Sequence, residues 1–154
     1  MAPAASSARK SDPLVAAMAT ALRPLEGVRV AYLFGSRARG DAREDSDLDV
    51  AVSFDPRFDA TDDRAREAVR RAIVAALTDA LGAVGERADV VNLDRADSAV
   101  AFRAIREGHL LLARSESDRV RVEARVGRRY DDDAPKRALF RRAAQDAVAR
   151  MQKP

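Results

Sequence analysis

The stretch VRVAYLFGSRARGDAREDSDLDVAVSF, residues 28–54, decides how this chain folds. Its first seven residues, VRVAYLF, are rich in β-branched and aromatic side chains and stop at Gly35, which predicts a buried strand ended by a glycine. The polar segment SRARGDAREDS follows. A second strand then begins at Asp47 and runs DLDVAVSF, in which Leu48, Val50, Val52 and Phe54 alternate with Asp47, Asp49, Ala51 and Ser53. Successive strand residues point to opposite faces, so the first set is directed one way and the second the other. The two strands form a hairpin-like pair with the glycine at the end of one and the aspartates at the start of the next.

Working outward, Asp12-Pro13 has the form of a helix cap followed by proline at the first helical position. Leu14, Ala17, Met18, Ala21, Leu22 and Leu25 recur behind it at helical spacing. Beyond the hairpin, Asp62 or Thr61 caps a long helix with a stripe of Val69, Ile73, Leu77 and Leu81, ended by Gly82 and Gly85. A third strand is expected over residues 88–93 and a helix from Asp97 to a stop at Gly108. An edge strand follows over 109–113. Two Arg-rich helices, 117–129 and 135–151, are separated by Tyr130 and a solvated Asp131-Asp132-Asp133 loop. This order predicts an α+β fold, a small mixed sheet flanked by helices and covered on one face. Residues 1–11 are expected to be a flexible Ala/Ser leader without the form of a secretory signal. Residues 12–154 are expected to be one domain.

The 154 residues suffice to bury the core of one domain, and with aromatics at 5% that core falls to Ala, Val and Leu. Cysteine is absent, which excludes disulfides and thiolate metal sites. A hard cation held by carboxylates remains open. No apolar run reaches the roughly 20 residues of a membrane span, so the cytoplasm is the expected location. The net charge of +3 does not announce a nucleic-acid-binding protein. Its distribution is uneven: residues 119–142 carry nine basic and four acidic side chains. That region is either a surface for acidic partners or phosphates or simply a solvated helix surface.

The chemistry is concentrated at the hairpin. Gly35 lets the backbone approach a ligand closely, Ser36 opens a short helical turn of the kind that binds phosphate, and Arg37 and Arg39 offer charge to a triphosphate. Asp47 and Asp49 lie two apart on a strand, hence on one face, with Cα atoms about 7 Å apart. Adjacent carboxylates repel unless cations neutralise them. Two Mg²⁺ ions roughly 3.5–4 Å apart do so, and clamp the attacking and leaving oxygens of an in-line phosphoryl displacement. A third carboxylate is then wanted from a neighbouring strand. Asp89 is the best placed, with Asp94 next, and it also serves to draw off the proton of the attacking hydroxyl. Against this stand plainer roles: Asp and Ser crowd turns, and Asp89 can pair with Arg87. His109, the sole histidine, lacks an acid–base partner nearby in sequence and reads as structural. Tyr32 reads as core, and Tyr130 as packed or facing a partner.

With Gly35-Ser36 and Asp47-x-Asp49 in place, the sequence resembles the minimal nucleotidyltransferases of the DNA polymerase β superfamily. Arg39 and Gly40 of GSRARG, and Ser46 of SDLDV, also match the minimal type. The resemblance implies that fold, with Gly35 and Ser36 on the phosphates of a nucleoside triphosphate and Asp47, Asp49 and Asp89 on two Mg²⁺ ions. A narrower resemblance to MntA-type antitoxins runs through ADVVNLDRADSAVAFRAIREGHLLLARS, residues 88–115, and on to Arg128-Arg129-Tyr130-Asp131. It implies an adenylyltransferase that moves AMP from ATP to a tyrosine of a partner HEPN-domain ribonuclease toxin. Direct nucleic-acid binding is not required. The alternatives are transfer to a small hydroxylated molecule or an RNA end, or a silent antitoxin that only binds. The Arg-rich helices from Arg119 to Arg142, with Arg121, Arg125 and Arg128, are expected to dock the toxin and present its tyrosine, or else to be only a solvated surface.

Overall fold

Asp12 opens the first helix: its side chain accepts from the Leu14 amide at 2.9 Å, and Pro13 takes the first helical position, where a missing N–H costs nothing. The computed structural model describes residues 12–59 and 62–152. Its elements are α1 (Pro13–Leu22), β1 (Val28–Phe34), the short turn α2 (Ser36–Arg39), β2 (Leu48–Phe54), α3 (Pro56–Asp59) and α4 (Asp63–Leu81). They continue with α5 (Ala83–Glu86), β3 (Ala88–Asn92), α6 (Ser98–Glu107), β4 (His109–Ala113), α7 (Glu116–Asp132) and α8 (Ala134–Met151). The leader over residues 1–11 and Thr61 lie outside the described residues. Asp62 caps α4, accepting from the Arg64 amide at 2.9 Å.

The four strands stand in the order β3-β2-β1-β4, so β4 is an edge strand as expected. β1 is antiparallel to both β2 and β4, whereas β2 and β3 are parallel. The parallel pair needs a crossover, which α3, α4 and α5 supply. On one face, Leu48, Val50, Val52 and Phe54 join Ala31 and Leu33 against Val15, Met18 and Leu22 of α1 and Val69, Ile73 and Leu77 of α4. Each such Val, Leu or Ile contributes about 1.5–3 kcal/mol on burial.

The expectation of cover on one face is corrected by the other side. Val30, Tyr32 and Ala51 pack there against Ala101 and Ala104 of α6 and Val122 and Val126 of α7. β1 is apolar on both faces, and a sheet with two apolar faces must be covered twice.

The Arg-rich α7 also differs from a surplus of surface charge. Ser53, fully buried, donates to Asp94 Oδ2 at 2.9 Å, and Arg125 Nε donates to Asp94 Oδ1 at 2.9 Å. Arg129 donates to the carbonyls of Leu93 and Ala96 at 2.9 and 2.6 Å. Tyr32, in the core as expected, donates its hydroxyl to Glu123 at 2.6 Å, and Arg119 holds the same carboxylate at 2.8 Å. Burial and the Glu123 carboxylate push the Tyr32 phenol far above its ordinary range. Arg125 and Arg129 therefore fasten α7 to the body, Arg119 braces Glu123 from within the same helix, and Arg121 and Arg128 face solvent.

The expected YDDD loop is helical up to Asp132, and Asp133 alone makes the junction to α8. Tyr130 stacks on Phe102 with ring centroids 4.0 Å apart, and the Arg137 guanidinium lies 3.6 Å over its other side while donating to its carbonyl. These contacts keep the last turn wound. α8 has no buried residue, and Leu139, Phe140 and Met151 are 67%, 64% and 85% exposed. No described helix is long and apolar enough to cross a membrane.

Asp94→Ala leaves the buried Ser53 hydroxyl without its acceptor and Arg125 without its counter-charge. The expected loss is about 1–3 kcal/mol, read by urea unfolding. Ser53→Ala in that background should recover part of it; strictly additive losses would show that the two side chains are not coupled.

Candidate active site

The strand directions bring chemistry to one end of the sheet. β1 ends where β2 and β3 begin, and β4 begins there too. Phe34 stands opposite Asp49, and Asp49 opposite Asp89, so the two carboxylates are neighbours on one face. Asp47 lies one residue before β2 begins, near enough for its charge to act on Asp49. This is the face that α6 and α7 cover, but the cover stops at Ala51 and Phe34. Asp49 is half-buried, and Asp47 and Asp89 are exposed.

Gly35 turns the chain between β1 and α2 with φ +74° and ψ −156°, a conformation that L side chains rarely adopt. A Cβ there would also fall 3.0 Å from Asp49 Cγ and overlap the Asp49 carboxylate oxygen. The dihedral angles favour glycine, and any side chain here would have to displace the Asp49 carboxylate. Ser36 starts the helical turn, as its sequence context predicts. Ala38 is buried in the core, and its carbonyl lies 2.9 Å from His109 Nε2. The lone histidine therefore has the structural part expected of it.

The residues expected on the phosphate side separate into two groups. Gly35 borders Asp49 directly, Ser36 follows it as the first residue of α2, and Arg39 is near enough for its charge to oppose the neighbouring negative ones. Arg37 turns away into the loop that precedes β2, donating to the Ser46 carbonyl from Nε at 3.2 Å and from Nη2 at 2.8 Å. Ser46 closes the same loop, its hydroxyl accepting from the Arg43 amide at 2.7 Å. Asp94 lies past the far end of β3, committed to Ser53 and Arg125, so Asp89 is the third carboxylate at the site. Arg87 does not pair with Asp89; it donates to the Glu44 carbonyl at 3.1 Å. Arg70 of α4 approaches Asp89 instead, at 4.0 Å with both side chains about half exposed, a weak pairing. Arg70 left no signal in the sequence, because 19 residues separate it from Asp89 and only the crossover brings them together.

Burial raises the Asp49 carboxyl above its ordinary range, the charges of Asp89 and then Asp47 raise it further, and Arg39 opposes them. Negative charge is therefore in excess here, and the donors are oxygens, which suits a hard divalent cation. Among the described residues no three acidic or histidine side chains are gathered tightly enough to make a cage. Mg²⁺ does not need one, because it binds through one or two carboxylates and completes its shell with water and substrate phosphates. Asp47, Asp49 and Asp89 are the residues that can hold it.

The raised Asp49 carboxyl makes a test with a definite sign. The folded chain binds this proton more tightly than the unfolded chain, so stability falls as pH rises through the folded value. In EDTA at pH 7, Asp49→Asn is expected to melt a few degrees higher than the unaltered protein. The gap should close as pH approaches the ordinary carboxylate value of about 4. A lower melting midpoint for the variant at pH 7 would mean that a favourable partner, not crowding, governs Asp49.

Residues 18–117 match the family model described as polymerase beta, nucleotidyltransferase. No curated protein matches the chain. Among solved structures, a toxin–antitoxin with AMP-PNP is similar, at 23% identity and a TM-score of 0.61, over 84% of this chain and 98% of that one. A tri-AMPylated HEPN toxin of Shewanella oneidensis in complex with MNT antitoxin is similar at 21% identity and a TM-score of 0.56, over 85% and 96%. The toxin–antitoxin MntA-HepT is similar at 21% and 0.55, over 85% and 97%. These likenesses concern the fold, and it is the family model, matched across more than half of the sequence, that assigns the kinship: the chain belongs to the polymerase β nucleotidyltransferase family.

Proposed function

We propose that this protein transfers AMP from ATP to a tyrosine hydroxyl of a HEPN-domain ribonuclease toxin in the cytoplasm, and so silences it. The observation that carries the reading is Asp49, crowded by Asp47 and Asp89 and pressed against a turn with no room for a side chain at Gly35. Such crowding serves no purpose in a protein that only binds its partner. Similar folds occur in a complex with AMP-PNP and in one with a tri-AMPylated HEPN toxin, which supports ATP as donor and a HEPN protein as acceptor.

Gly35 and Ser36 receive the triphosphate through backbone approach and a hydroxyl, and Arg39 adds positive charge beside them. Asp47, Asp49 and Asp89 would hold two Mg²⁺ ions, which would supply positive charge to neutralise the phosphates. The tyrosine oxygen forms a bond to the α-phosphorus as the bond to the departing pyrophosphate breaks. Asp89, on the acceptor side, takes the tyrosine proton. The chain's own contribution is positioning and charge, which suffices for this class of reaction. Residues 12–154 act as one unit, in which α7 and α8 extend the catalytic body toward the partner.

Incubation with ATP labelled at the α-phosphate and a cognate HEPN toxin should place label on a toxin tyrosine. Label entering only a small hydroxylated acceptor or an RNA end would overturn the protein-acceptor reading. Asp47→Asn and Asp49→Asn should each lower transfer by roughly a hundredfold or more. Asp89→Asn should lower turnover while leaving affinity for AMP-PNP close to that of the unaltered protein. Full activity in Asp47→Asn and Asp49→Asn would remove the cation-binding assignment.

We infer that the toxin docks on the exposed side of α7 and α8, a reading supported by Arg121 and Arg128, which stand free of the fastenings that occupy Arg125. Arg121→Glu with Arg128→Glu should slow association with the toxin, most visibly at low salt, and leave the melting temperature unchanged. Association at the original rate would move the interface elsewhere.

A further inference from the structure

Residues 40–47 connect α2 to β2 and deliver Asp47 to the site, with no strand or helix of their own. Asp41, Arg43, Glu44 and Asp45 are exposed, and only Ala42 and Ser46 are partly covered. Hydrophobic burial therefore does little to decide where this segment stands. Its internal bonds are short in range: the Ser46 amide donates to the Arg43 carbonyl at 3.1 Å, and the Ser46 hydroxyl accepts from the Arg43 amide. At its start, the Asp41 amide donates to the Ser36 carbonyl at 3.1 Å, and Arg39 pairs with Asp41 at 3.3 Å.

What ties the middle of the segment to the body is a pair of guanidiniums. Arg37 reaches in from α2 and donates to the carbonyls of Ser46 at 2.8 Å, Glu44 at 3.3 Å and Arg43 at 3.5 Å. Arg87, just before β3, donates to the same Glu44 carbonyl at 3.1 Å. Arg87 is itself fixed, because its carbonyl accepts from the Leu48 amide at 3.1 Å. The Glu44 carbonyl is thus shared between the turn that borders Asp49 and the strand that carries Asp89. At Arg37 a planar guanidinium with several donors reaches three carbonyls at once, which an ammonium does not do, whereas Arg87 supplies a single donor.

We propose that Arg37 and Arg87 form a clamp on the backbone carbonyls of residues 43–46 and act as positioning residues for Asp47, Arg37 serving the loop and not the phosphates. The inference rests on the reading that Asp47 binds a divalent cation together with nucleotide. Arg87 is the informative member, since it stands apart from the Gly35–Ser36 turn and has no part in holding phosphate.

The full-length protein is loaded with AMP-PNP and titrated with Mn²⁺, free Mn²⁺ being read by electron paramagnetic resonance. AMP-PNP binding in EDTA is measured separately by calorimetry. Arg37→Gln and Arg87→Gln should each raise the half-saturating Mn²⁺ concentration roughly threefold to tenfold while leaving AMP-PNP binding in EDTA unchanged. The double variant should shift it by less than the product of the single shifts, because both side chains hold one carbonyl. Arg87→Lys, which keeps a donor for Glu44, should recover most of the loss. Weaker AMP-PNP binding in EDTA for Arg37→Gln alone would make Arg37 a phosphate contact and overturn the clamp. Unchanged Mn²⁺ binding in both single variants would overturn it as well. If the unaltered protein binds Mn²⁺ no better than Asp47→Asn, the cation reading itself fails and the clamp falls with it.

Discussion

Like charges gathered at one end of a sheet repel, and the arrangement of this protein follows from keeping Asp47, Asp49 and Asp89 together despite that repulsion. The register of β2 with β3 places Asp49 and Asp89 side by side, and the Gly35 turn closes over Asp49 where a side chain would press on its carboxylate. Crowding and burial are visible in the raised Asp49 carboxyl. The cost of holding these charges together falls on stability.

Stability is supplied elsewhere in the molecule. Both sheet faces are closed by apolar side chains, from α1 and α4 on one side and α6 and α7 on the other. The polar fastenings of α7 run through Asp94, Leu93 and Ala96, at the end of β3 away from the aspartates. The strand that carries Asp89 is accordingly held at the end away from the aspartates. At the aspartate end the holding groups are guanidinium and imidazole donors on backbone carbonyls, from Arg37, Arg87 and His109. Such bonds fix direction while leaving the carboxylates uncovered.

α8 stands outside this economy. It buries none of its residues, carries Leu139, Phe140 and Met151 outward, and is joined to the body through α7 and the Tyr130–Arg137 contact. Most helices in proteins draw their stability from tertiary packing, and α8 has little of it. A partner that covered its apolar side would therefore stabilise the helix as well as the complex.

The sequence by itself determined the strands, the helix caps at Asp12 and Asp97, the alternation of β2 and the acidic pair, because these depend on neighbours along the chain. Gly35 was legible for the same reason: a glycine between a strand and a polar turn marks backbone that must bend or approach closely. Tertiary structure decided what depends on residues distant in sequence. It placed Arg70 beside Asp89, gave Arg125 and Arg129 to the body of the protein, turned Arg37 into the loop and covered the second face of the sheet. Long charged side chains are the least legible of all, since a guanidinium on a flexible stem can reach solvent, a carboxylate or a carbonyl from one backbone position. Only the packing of the surrounding elements selects among them.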